Sequence, residues 1–188
     1  NHIRAATTRP CDLPLLLMYT AKYDATECVA DSRRAMAHFA ADVYVHLRTT
    51  NGCDLSTIGL DLTEENLEIT SWTAETQVRK GYNAILRAVA VLLARLAGRE
   101  LFSFPTNPVS AYALTTTYAC TVALAGGERR ELAEPLGRQE ARELVGLKSD
   151  GTKLARNVKS VMIPPTDENF DRALAVFDRQ VRCANLRQ

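Results

Sequence analysis

The sequence predicts an α+β fold, a mostly antiparallel sheet meander followed by a largely helical second half. Three observations carry that expectation. Residues 57–72 read TIGLDLTEENLEITSW, with Ile58, Leu60 and Leu62 spaced by two, and Leu67 and Ile69 spaced by two again after Thr63-Glu64-Glu65-Asn66. Successive strand side chains point to opposite faces, so this pattern predicts two half-buried strands joined at an acidic turn. Just upstream, Val43, Val45 and Leu47 alternate with Tyr44, His46 and Arg48 and run into Asn51-Gly52, a strong hairpin signal. Beyond Thr76 the apolar spacing becomes mostly helical. Strands early and helices late argue for α+β.

In chain order, residues 1–8 read as the end of a helix stopped before Arg9-Pro10, and Leu13 to Leu17 as a short apolar strand. Residues 25–40 read as a helix with Cys28, Met36 and Phe39 among its apolar positions, and the meander of residues 43–72 follows. Residues 76–98 form the clearest helix. Tyr82, Ile85, Leu86, Val89, Leu92, Leu93 and Leu96 make its apolar face, and Gly98 is its stop. Its basic residues fall mostly on the opposite face, which reads as solvated. Residues 101–108 are an aromatic, proline-marked connection, and residues 111–124 fit strand or helix by pattern alone. Residues 128–147 and 153–163 read as helices separated by Ser149-Asp150-Gly151. Pro164-Pro165 breaks the chain, and Thr166 caps a last helix carrying Phe170, Leu174, Phe177 and Val181 on one side. With no repeat and no linker-like tract, the 188 residues are expected to be one domain with a sizeable core.

Composition is that of a globular protein and excludes disorder, collagen and low complexity. A net charge of +1 excludes a uniformly basic nucleic-acid binder, but the charge is segregated. Residues 54–75 carry six acids and no base, whereas residues 77–99 carry Arg79, Lys80, Arg87, Arg95 and Arg99 and no acid. Such polarity is compatible with a local anion-binding face. Arginine outnumbers lysine eighteen to five. A guanidinium suits phosphate recognition, though a GC-rich genome explains the bias equally simply. Cys11, Cys28, Cys53, Cys120 and Cys183 form no CxxC pair, which argues against zinc and for buried thiols. The longest apolar run, residues 88–94, is too short to span a membrane. The chain opens on Asn1 without a methionine, so a mature form or an excised segment is expected.

Three constellations invite a chemical reading. His38, Asp42 and His46 are spaced by four, as helical metal ligands can be, but the alternation beginning at Val43 and the lack of a fourth ligand argue for no metal. Residues 146–153, GLKSDGTK, approach a phosphate loop, but the final pair is reversed and a helix precedes it, so a turn is expected. Glu168 and Arg172 lie one turn apart on the last helix and share a face. Spacing alone favours an exposed ion pair. The functional alternative is a site in which the carboxylate handles a developing cation and the guanidinium a leaving base.

In order, these pieces resemble the ribosome-inactivating proteins, the family of the ricin A chain. Asn1-His2-Ile3-Arg4-Ala5 resembles the family's early helix N-F-I-R-A, and Leu13-Pro14-Leu15-Leu16 its I-P-x-L strand. Val43 to Arg48 is similar to V-L-V-x-L, Leu60-Asp61-Leu62-Thr63 to L-D-V-T, and Asn66 to Trp72 to N-L-Y-V-V-G-Y. Tyr118, Ala125-Gly126, Arg129 and Leu132 fall at the intervals of Y-x-x-L-x-x-x-A-G-x-x-R-x-x-I, and Ile163 and Glu168 at those of the S-E-A-A-R helix. The sequence departs from the family in four ways. Trp72 replaces a tyrosine, and Arg172 follows Glu168 at i+4, leaving Asp171 in the arginine's i+3 place. Pro164-Pro165 stands where the family has continuous helix, and the family's first strand and C-terminal part are missing.

The resemblance implies an rRNA N-glycosylase, a hydrolase toxin of the plant-defence type that removes one adenine from the exposed large-subunit rRNA loop and so inhibits protein synthesis. Trp72 and Tyr118, with Tyr112 as the alternative, would stack the extruded base, and Arg129 would join the substrate contacts. Glu168 would stabilise an oxocarbenium-like ribose and polarise water, while Arg172 would donate to the departing adenine. Neither metal nor organic cofactor is implied. The implied partners are the ribosome and, in some family members, a lectin chain, and the implied location is secreted or vacuolar. Two other readings stand beside this one: a catalytically inactive relative of the same fold, and a self-assembling RNA-binding structural protein such as a viral coat.

Overall fold

The computed structural model describes residues 2–4, 15–20, 41–49, 54–73, 81–105, 107–148 and 157–185. In chain order they form β1 (His2–Arg4), β2 (Leu15–Thr20), β3 (Val43–Thr49), β4 (Asp54–Leu62), β5 (Asn66–Thr73), α1 (Tyr82–Ala97) and β6 (Glu100–Ser103). Then follow α2 (Pro108–Thr115), β7 (Cys120–Leu124), β8 (Arg129–Leu132), α3 (Arg138–Val145), β9 (Val158–Ile163) and α4 (Asp167–Asn185). The strands make one sheet in the order β1-β2-β3-β4-β5-β6-β9-β7-β8. Every pairing is antiparallel except β5 with β6, which run parallel with α1 as their crossover.

The meander has the register that its alternation demands. Val45 lies opposite Ile58, and Leu60 lies opposite Ile69. The acidic turn is closed by Thr63, whose backbone N–H donates to the Asn66 carbonyl at 2.9 Å while its hydroxyl accepts from the Asn66 N–H at 2.9 Å. The strands are not half-buried, however. Tyr44, His46, Ser56 and Thr57 are as buried as Val45, Leu47 and Ile58, so the sheet centre is covered on both faces. The polar residues satisfy one another there: His46 Nδ1 lies 3.0 Å from Thr57 Oγ1, and Ser56 Oγ lies 2.9 Å from Thr73 Oγ1.

Three expectations are corrected. Residues 2–4, read as part of a helix, are strand, because they pair antiparallel with residues 16–18. Within residues 128–147, helix is confined to α3, and residues 129–132 return along β7 as a hairpin strand. Residues 158–163 are a strand, inserted between β6 and β7. Val158, Val161 and Ile163 are all buried there, and a β-branched run suits a pleated, enclosed position. The second half therefore holds four strands as well as most of the described helix. Pro164-Pro165 consequently interrupts no helix. It links β9 to α4, where the Thr166 hydroxyl caps the Asn169 N–H at 3.2 Å, as the sequence predicted. The helix expected over residues 25–40 and the turns at Asn51-Gly52 and Ser149-Asp150-Gly151 lie outside the described residues.

The α1 helix sits between the sheet and α4. Its burial is accordingly wider than one stripe. Ala88, Ala90, Val91 and Ala94 join Ile85 and Leu86 in the core, while Leu93 and Leu96 are exposed. Small residues let the helix approach both layers. Its end is set by Gly98, whose φ of 62° only glycine adopts without strain. The Gly98 and Arg99 N–H groups then close on the Arg95 and Ala94 carbonyls, at 3.2 and 2.9 Å.

Candidate functional site

The first turn of α4 is fastened to the chain that follows α2. Asn169 has no exposed surface, and its amide works like a neighbouring strand. Oδ1 accepts from the Ala119 N–H at 3.1 Å, and Nδ2 donates to the carbonyls of Ala119 and Pro164 at 3.0 and 3.1 Å. This clamp puts Glu168 and Arg172 beside the segment that carries Tyr118 and beside the loop after β8.

Glu168 and Arg172 are paired across one helical turn, and Arg172 Nη2 also meets Glu134 Oε2 at 2.5 Å. The Glu168 hydrogen bond is the largest influence on the Arg172 pKa and raises it; burial opposes this, and the Glu134 hydrogen bond and the charges of both acids keep the net shift upward. The Arg172 side chain is 27% exposed and its Nε is buried without a partner, whereas Glu168 is 53% exposed. The carboxylate is therefore open to solvent and the guanidinium is spoken for by two acids. An exposed pair of this kind adds at most about 1 kcal/mol to stability.

Tyr118 is 2% exposed and belongs to the core, against the expectation of a partly accessible ring. Burial drives its hydroxyl pKa well above the ordinary tyrosine value, and the guanidiniums of Arg87 and Arg179 pull it part of the way back. The backbone of Trp72 lies in β5 opposite Thr57, and its side chain lies outside the described residues. Register places the two far apart. Ile69, Ser103, Val161 and Val122 stand abreast across β5, β6, β9 and β7. From that row Trp72 is displaced toward one end of the sheet and Tyr118 toward the other, an offset of about 20 Å along the strands plus about 14 Å across three strand spacings. The register thus sets the backbones of Trp72 and Tyr118 far apart, which does not favour the expected purine sandwich between them. Tyr112, on α2, is partly buried against the core, and Arg129 is exposed at the start of β8.

His46 is in a strand and bonded to Thr57, His38 lies outside the described residues, and Asp42 accepts from the Leu62 N–H at 3.1 Å. Among the described residues no group of three His, Cys, Asp or Glu side chains could hold a metal, and no helix is long and apolar enough to cross a membrane. Cys120 is buried with its thiol pKa pushed up to about 12, as expected of a packing thiol.

A small pocket does lie elsewhere on the sheet, lined by Gly59, Asp61, Glu68, Thr70 and Phe104 among others. The Asp61 carboxyl pKa is raised, chiefly by a hydrogen bond with Asp42, then by burial and by the Asp42 charge. A folded pKa above the unfolded one means stabilisation that is full below the unfolded value and is lost as pH rises through the folded value. Asp61→Asn should remove that pH dependence, because an amide donates the same hydrogen bond at every pH. Urea unfolding from pH 3.5 to 7 checks this: the wild type should lose stability relative to the variant as pH rises.

One residue was missed from sequence. Among the basic residues assigned to a solvated helix face, Arg95 behaves so, pairing with Asp167 at 2.6 Å. Arg87 instead turns inward, where burial lowers its pKa to about 10. Its helical position between the buried Leu86 and Ala88 was the only available signal, and a buried face wider than one stripe was not anticipated. Compared with known proteins, the chain matches no protein-family model and no curated sequence.

Proposed function

We propose that the chain is a relative of the ribosome-inactivating proteins that engages ribosomal RNA without cleaving its N-glycosidic bond. The resemblance supplies the kinship and the partner. The observation that carries the loss of cleavage is the separation of Trp72 from Tyr118, together with the burial of the Tyr118 ring. A flipped adenine needs two opposed aromatic faces to hold it at the reacting carboxylate. A base left unheld forfeits most of the advantage of positioning.

Hydrolysis is the second reading, and the Glu168–Arg172 pair favours it. A solvent-open carboxylate next to a guanidinium is the chemistry that an oxocarbenium-like ribose and a departing adenine require. In that reading Glu168 stabilises the cation and polarises water, and Arg172 exchanges Glu134 for the leaving base.

Free adenine measured after incubation with ribosomes separates the two. The proposal expects no release above buffer, with retained binding of an oligonucleotide copying the exposed large-subunit loop. Adenine release that Glu168→Gln and Arg172→Ala each reduce by about 100-fold or more would overturn it in favour of hydrolysis. Absence of both release and binding would remove the family reading altogether.

A further inference from the structure

The sheet ends at β8, and that edge has no neighbouring strand among the described residues. The hairpin before it sets which backbone groups face outward. Gly127, at φ 90°, closes the turn, and the Leu124 N–H donates to the Glu128 carbonyl at 2.8 Å. Bonded and unbonded pairs alternate along an antiparallel ladder. Counting on from Leu124–Glu128, the bonded pairs are Val122–Arg130 and Cys120–Leu132, and the unbonded ones are Ala123–Arg129 and Thr121–Glu131. The backbone N–H and C=O groups of Arg129 and Glu131 therefore point away from β7, into the open edge. Such an edge is a template for another strand.

Arg129, Arg130 and Glu131 are exposed on it, and Leu132 alone is buried. Arg129 and Glu131 share one face and make no ion pair among the described residues. Arg130 takes the other face, where Glu140 of α3 holds it at 2.9 Å. Charges on an edge strand ordinarily guard it against pairing. Two charges of opposite sign, two residues apart, repel most strands but complement their own copy.

We propose that β8 pairs antiparallel with β8 of a second copy of this chain, about a twofold axis through Arg130, and so joins two sheets into one. Residues opposite each other across such a ladder point to the same face, so a twofold axis must pass through a residue position, not between two. Centred on Arg129 or on Glu131, like charges meet. Centred on Leu132, Arg129 has no opposite residue within the strand. Centred on Arg130, Arg129 lies opposite Glu131 of the second copy, and these are the residues whose backbone groups are free. Each such pair exchanges two backbone hydrogen bonds and brings opposite charges together on one face. The two Arg130 side chains meet on the other face, each neutralised by its own Glu140. The pairing depends neither on ribosomal RNA nor on the Glu168–Arg172 pair.

Sedimentation equilibrium at chain concentrations from about 10 µM to about 1 mM tests it. The wild type should shift from one chain toward two as concentration rises, and less so when salt is raised from about 0.05 to about 0.5 M. Arg129→Glu and Glu131→Arg each set like charges against each other in both pairs, and each should weaken self-association by at least about tenfold. Both side chains are exposed, so the fold is retained. Mixed in equal amounts, the two variants should form a heterodimer, because one strand then offers two acids and the other two bases at the facing positions. A wild type that stays monomeric at about 1 mM would overturn the proposal, leaving the edge guarded or open to a strand of another protein. So would single variants that associate as tightly as the wild type, which would put the contact on another surface. A mixture that stays monomeric would overturn the register and the proposal with it.

Discussion

Replacing Asn169 with alanine is expected to cost about 2–4 kcal/mol of stability, because three hydrogen bonds end on one fully buried amide. The loss is not that of three average bonds. Truncation leaves the Ala119 N–H, the Ala119 carbonyl and the Pro164 carbonyl without the group that satisfied them, and a desolvated polar group left unpaired costs more than a pair contributes. Asn169→Asp sharpens the test. An ionised carboxylate keeps the acceptor for the Ala119 N–H but faces two carbonyl oxygens with lone pairs instead of donors. At neutral pH it should be at least as destabilising as alanine, with partial recovery in acid, where the protonated carboxyl can donate once. Equilibrium unfolding in urea of the two variants across pH measures both effects. A loss under 1 kcal/mol for alanine would mean that the clamp between α4 and the segment after Tyr118 is not a fixed feature. The placement of Glu168 and Arg172 beside Glu134 would then lose its basis.

Ile58→Ala is expected to cost about 2–5 kcal/mol, the range for emptying a large aliphatic side chain from a rigid core. Ile58 has no exposed surface and sits in the middle strand of the meander, abreast of Val45 and Ser71. The neighbouring strands hold it on both sides through their backbone ladders, so the cavity cannot close by moving one strand alone. The conservative Ile58→Val should cost only about 0.5–1.5 kcal/mol, since one methylene is lost. Denaturant midpoints at constant slope read out both. Equal, small losses for the two would place Ile58 outside a packed sheet centre and would contradict the register on which the separation of Trp72 and Tyr118 rests.

What the sequence determined by itself is local. The alternation of Val43 to Leu47, Ile58 to Leu62 and Leu67 to Ile69, with a threonine–asparagine turn between the last two, specifies strands because period two has no other cheap solution. Thr166 and Gly98 mark helix ends because capping is settled within four residues. The candidate pair Glu168 and Arg172 was legible for the same reason, since i and i+4 on one helix must meet.

Tertiary structure alone decided the rest. By sequence residues 158–163 read as helix, yet they form a strand between β6 and β7. His2 to Arg4 became strand because β2 offered a ladder. The second face of the meander reads polar, yet Tyr44, His46 and Thr57 are buried on it, a cost met by hydrogen bonds between strands eleven residues apart. Arg87 looks like any arginine on a helix and is distinguished only by its burial and its hydrogen bond to Ser110 of α2. The distance between Trp72 and Tyr118 was likewise invisible. Spacing along a chain says which side of a strand a residue takes, but which end of the sheet it reaches depends on the order and direction of every strand in between. Here the parallel step from β5 to β6 and two antiparallel steps beyond it carry Tyr118 to the end opposite Trp72.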